Sequence, residues 1–125
     1  MYVPLRKALE DFLRQHDLTI DDVLDAMDDS KEGAYEALRK RVNVSEKDLD
    51  FLCRSLSSRE LNLLLLAIQI FYSPTSPGLY RRLMVVPSKD EVVGPDGKVT
   101  RKGLKLIMRA LGLRPRIGGL KPKSL

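Results

Sequence analysis

The sequence predicts a mainly α-helical fold: a compact helical domain around one central apolar helix, with a small β-hairpin before the last helix. Three observations predict it. Apolar residues recur at helical spacing through most of the stretch from Leu5 to Tyr72, each periodic segment follows a Pro, Ser or Thr suited to open a helix, and the segment from Leu61 to Tyr72 is apolar on nearly every side. At 125 residues, 43% hydrophobic and 31% charged, the chain can build one core and cover it, and is short for two full domains.

Leu5, Ala8, Leu9, Phe12 and Leu13 fall on one helical face with charged residues between them, and Pro4 suits the first helical position. Thr19 and Asp22 resemble a capping box, with Ile20, Val23, Leu24 and Met27 as the apolar face of a short second helix. Ser30 caps a third helix through Ala34, Leu38 and Val42, with Glu36 placed to support Lys40. Ser45 and Asp48 repeat the capping pattern before Leu49, Leu52, Cys53 and Leu56. Ser57 and Glu60 form the clearest capping box and open the central helix. Pro74 and Pro77 end it, and Ser76 and Pro77 start a short basic helix through Met84. Glu91-Val92-Val93 and Lys98-Val99-Thr100 flank Gly94-Pro95-Asp96-Gly97, which reads as a hairpin. Thr100 caps a final helix that buries Leu104, Ile107, Met108 and Leu111 and stops at Gly112. The expected division is a domain over 1–112, with an acidic half (1–56) and a basic half (57–112), followed by a basic extended tail over 113–125.

The charge is unevenly distributed. Residues 1–62 carry ten Lys/Arg against fourteen Asp/Glu, while residues 63–125 carry twelve against three. From Gly97 onward there are nine basic residues and no acidic one. Such a stretch repels itself, and a polyanionic partner relieves that repulsion, as does ordinary solvation. The low count of Asn and Gln beside many charges matches a thermophile-like composition.

Several chemistries find no support. One cysteine, Cys53, and one histidine, His16, exclude an intramolecular disulfide and a Cys/His zinc site. Gly94 and Gly97-Lys98 lack the spacing and the following Ser or Thr of a phosphate loop. Asp28, Ser30, Glu32 and Gly33 match the start of a calcium loop, but Arg39 stands where the bidentate Glu belongs. Asp21, Asp25, Asp28 and Asp29 suit the positive end of a helix dipole better than a Mg²⁺ site. His16 reads as a helix-end cation and Cys53 as core. No nucleophile with a base and an orienting group is visible, so the expectation is no enzyme and no cofactor. No N-terminal signal is visible, and the longest apolar run falls short of the roughly 18 residues of a spanning helix. A reducing, cytoplasmic location and no membrane partner are expected.

The order of a helix over 57–72, a short basic helix over 77–84, a hairpin over 91–100 and a closing helix over 101–111 resembles a winged-helix domain. The segment from Asp96 to Ile107 is similar to the end of the wing and the following helix in bacterial and archaeal winged-helix regulators. The resemblance implies a nucleic-acid-binding protein, in which Arg81 and Arg82 reach base edges or phosphates and Lys98, Arg101 and Lys102 contact phosphates. Lys105, Arg109, Arg114 and Arg116 extend the basic surface, the last two in an arm suited to a minor groove, to a partner protein or, as is commonest for chain ends, to remaining mobile. The reading is a non-catalytic nucleic-acid-binding protein, a transcriptional regulator on duplex DNA. The alternative is a small adaptor subunit of a larger complex, with the acidic N-terminal half available to a protein partner.

Overall fold

Thr19, Ser30, Ser45, Ser57 and Thr100 each accept a hydrogen bond from the backbone N–H three residues on, at 2.9–3.2 Å, and each opens a helix. The computed structural model describes residues 2–27, 30–73 and 84–114. Within them the chain is mainly helical. It runs β1 (Tyr2–Pro4), α1 (Leu5–Arg14), α2 (Ile20–Ala26), α3 (Lys31–Arg41), β2 (Val42–Asn43), α4 (Glu46–Ser55), α5 (Ser58–Phe71), β3 (Met84–Val86), α6 (Lys89–Val92), β4 (Val99–Thr100) and α7 (Arg101–Ala110). The boxes at Thr19/Asp22 and Ser57/Glu60 are reciprocal, with each acidic side chain accepting from the cap residue's own N–H at 3.0 and 2.9 Å. Pro4 sits just before α1 and not within its first turn.

The central helix is α5. Leu61 through Ile68, Ile70 and Phe71 are all buried. The stripes of α1, α2 and α3 pack on it, and buried residues from Leu5 to Leu113 form one hydrophobic cluster. Burial at about 25 cal/mol per Å² makes that cluster the main stabilising term. Arg59, in the first turn of α5, reaches α2 with a forked pair of bonds, to Asp21 at 2.7 Å and Asp25 at 2.8 Å. Those two carboxylates hold a neighbouring helix.

The expected hairpin over 91–100 is reduced to its turn. Gly94 N–H donates to Lys98 O at 2.8 Å, Gly97 takes φ of 80°, and one antiparallel bridge joins Val93 to Val99. One local and one long-range interaction displace the rest of it. Ser88 caps a single helical turn that draws Glu91 and Val92 into α6. On the other side, Val99 and Thr100 pair in parallel with Val42 and Asn43, while the Thr100 hydroxyl donates to Val92 O at 3.2 Å and caps α7. A second parallel pair joins β1 to β3, Val3 opposite Val85. Met84, expected at the end of a short helix, therefore begins a strand. The remainder of that helix, and the tail beyond Arg114, lie outside the described residues.

Candidate functional site

The cations of α7 occupy one arc of the helix. Arg101, Lys105 and Arg109 follow one another at intervals of four and Lys102 lies beside them, all exposed, while Gly103, Leu104, Ile107 and Met108 are buried. Lys98, on the turn before α7, and Arg114, after its end, are exposed as well. Arg81, Arg82 and Arg116 lie outside the described residues. Of the nine basic residues singled out by the sequence, six are thus placed, four of them on one helical face.

A groove of about 1050 Å³ runs between that face and α4. Its floor is apolar, made by Val44, Phe51, Leu52, Leu104, Met108 and Leu113, and its rim carries Lys47, Arg54, Arg101, Lys105, Arg109 and Arg114. The groove exists because the two helices find their main neighbours elsewhere. α4 packs chiefly on α3, and α7 on α6, β2, β4 and α1. Phe51 is only half-buried, whereas Leu52, Leu104, Met108 and Leu113 show the groove little of their surface.

Among the described lining residues stands one carboxylate. Asp48 pairs with Arg101 at 3.2 Å and ties α4 to the first turn of α7. Among the described residues, no carboxylate forms an ion pair with Lys47, Arg54, Lys105, Arg109 or Arg114. Like charges held together at low cost only by solvent make an electropositive rim, which raises the local concentration of anionic groups.

Lys47 and Arg54 are the site residues that the sequence reading missed. They lie in the half counted as acidic. Their spacing does carry a signal: Lys47, Phe51 and Arg54 fall at i, i+4 and i+7, one face that mixes two cations with an aromatic ring.

The other singled-out groups have structural surroundings. The Phe12 and His16 rings are 5.2 Å apart, and His16 N–H donates to Leu13 O in the turn that ends α1. Cys53 is half-buried against the core, and burial, with Asp50 adding to it, pushes its thiol above the ordinary range despite Lys31. Lys31 Nζ donates to the Cys53 carbonyl at 3.1 Å. Among the described residues, no group of three His, Cys, Asp or Glu side chains is arranged as a metal site, and no helix is long and apolar enough to cross a membrane. Comparison with known proteins finds no matching family model, no matching curated protein and no matching solved structure.

Proposed function

We propose that the chain is a non-catalytic interaction protein, a small adaptor that holds a protein partner against the α4–α7 groove. The observation that carries this reading is the coincidence, on one surface, of an apolar floor with a basic rim whose cations, Arg101 apart, form no ion pair among the described residues. Partner helices and extended segments use such floors, since apolar contact supplies the affinity and the polar edge supplies orientation. A phosphate backbone uses the rim and leaves the floor unemployed. The cytoplasm is the proposed place of work, in keeping with a free thiol at Cys53.

A second reading has an observation of its own. Lys98, Lys102, Lys105 and Arg109 are exposed and unpaired among the described residues, which favours a nucleic-acid-binding role, as a regulator on duplex DNA. Arg81 and Arg82 would add contacts in the winged-helix manner, and Arg116 as part of a basic arm in a minor groove.

Affinity for duplex DNA as a function of salt separates the two. A regulator that neutralises five or six phosphates shows log affinity falling with log salt at a slope of about −5, and binds one sequence far better than others. The adaptor reading expects binding no tighter than the ~1–100 µM of non-specific contact at physiological salt, alike for unrelated duplexes. Nanomolar, sequence-selective binding that disappears in an Arg81→Ala/Arg82→Ala variant would overturn it.

A further inference from the structure

We infer that the α4–α7 groove takes an acidic, amphipathic helical segment of a partner protein. This rests on the adaptor reading and specifies the chemistry of the partner. Length, floor and charge each bear on the occupant.

Both helices that wall the groove are ten residues long, about 15 Å at 1.5 Å per residue. Arg101, Lys105 and Arg109 mark successive turns along one wall. A partner helix of three turns laid in the groove presents apolar side chains at i, i+4 and i+7 to the floor. Its flanking carboxylates then meet the rim at the same spacing, one per turn.

The floor favours side chains over bases. Among the described residues Phe51 is the one aromatic residue lining the groove, and the rest of the floor is aliphatic or Met. A nucleic-acid strand binds such a surface through stacking on several aromatic faces, which this floor lacks. An amphipathic helix needs an apolar anchor at its centre, and half-buried Phe51, with Val44 also partly exposed, supplies it.

The charge selects the sign of the partner. Among the described residues six cations line the groove against one carboxylate, and Arg101 already holds that carboxylate. A basic segment is repelled. This disfavours the chain's own residues after Arg114, which include Arg116, Lys121 and Lys123 and no acidic residue. The acidic face of a second copy is a poorer match as well, because Asp21 and Asp25 are held by Arg59 and Asp22 by its capping box.

The test uses the full chain and two fluorescein-labelled peptides of equal composition, rich in Glu and Leu, read by fluorescence anisotropy at physiological salt. In one peptide Leu recurs at i, i+4, i+7 and i+11, and in the other it is spread around the helix. The patterned peptide is expected to bind about tenfold tighter or more, a difference of about 1.4 kcal/mol. Phe51→Ala and Lys105→Glu/Arg109→Glu are each expected to weaken it by about tenfold, with helical circular dichroism unchanged. If Phe51→Ala fails to fold, Phe51→Leu and the comparison of the two peptides on the unaltered chain decide the matter.

Equal binding of the two peptides overturns the inference, as does a loss on charge reversal with none at Phe51, since either means attraction without docking. Tighter binding of a single-stranded oligonucleotide that displaces the peptide overturns it in favour of nucleic acid. A large gain in peptide affinity on removing residues 115–125 assigns the groove to the chain's own end. A dimer in light scattering that Lys105→Glu/Arg109→Glu dissolves assigns it to a second copy. Failure of the peptide comparison while duplex binding stays weak removes this partner chemistry and leaves the adaptor reading in place. Selective duplex binding removes the adaptor reading itself.

Discussion

Gly103 is where α7 meets the backbone of α6. A Cβ there would lie 2.6 Å from Val92 Cα and closer still to its carbonyl oxygen, and backbone cannot swing aside as a side chain can. The same carbonyl accepts from Thr100, so the contact also fixes the cap of α7. Gly103→Ala is expected to lower the melting temperature: overpacking costs about 1–3 kcal/mol, which outweighs the gain of up to ~1 kcal/mol in helix propensity. Thermal unfolding checks the sign, and a stabilised variant would contradict the close approach. Tyr72 makes a second specific claim. Its hydroxyl donates to Pro87 O at 2.6 Å, and burial, with Glu91 adding to it, holds the phenol well above its usual pKa. The folded chain thus keeps the proton more tightly than the unfolded one. Its contribution is complete below about pH 10, the unfolded value, and declines as pH rises beyond that. Tyr72→Phe is expected to cost ~1 kcal/mol at neutral pH and to flatten the alkaline decline in urea unfolding. An unchanged alkaline limb would contradict the assignment.

At the scale of elements, what was legible in the sequence was what is local. A cap needs only a hydroxyl and an N–H three residues away, so Thr19, Ser30, Ser45, Ser57 and Thr100 announce their helices without help from the rest of the fold. The all-round apolar character of α5 likewise implies its central place. Leu65→Asp is expected to unfold the chain, since an unpaired carboxylate in that core costs ~4 kcal/mol or more; a cooperative melt at an unchanged temperature would contradict the packing around α5. Pairing of strands was illegible for the opposite reason. Val99 and Thr100 look like half of a hairpin because Gly94 to Gly97 supplies a turn, yet their partners are Val42 and Asn43, far back in the chain. Val85 is β-prone in isolation, but only its pairing with Val3 makes the strand. Nothing within a few residues of either segment encodes such a partner.

For the whole molecule, ion pairs tie the front of the chain to the back. Asp48 from the front half neutralises Arg101 from the back, while Arg59 occupies two carboxylates of α2. The fold then adds Lys47 and Arg54 to Arg101, Lys105 and Arg109 of α7 and sets these five around the floor at Phe51. The arc of Arg101, Lys105 and Arg109 was readable from their spacing. The groove was not, because it depends on the separation of α4 from α7, which follows from what each helix packs against on its other side. The most direct measurement of its role is amide chemical-shift mapping of the full chain titrated with the patterned acidic peptide. The account predicts shifts concentrated in residues 44–54 and 101–114, saturating together and including Phe51 and Met108. Shifts spread over every basic residue without the floor, or centred on α2, would contradict it.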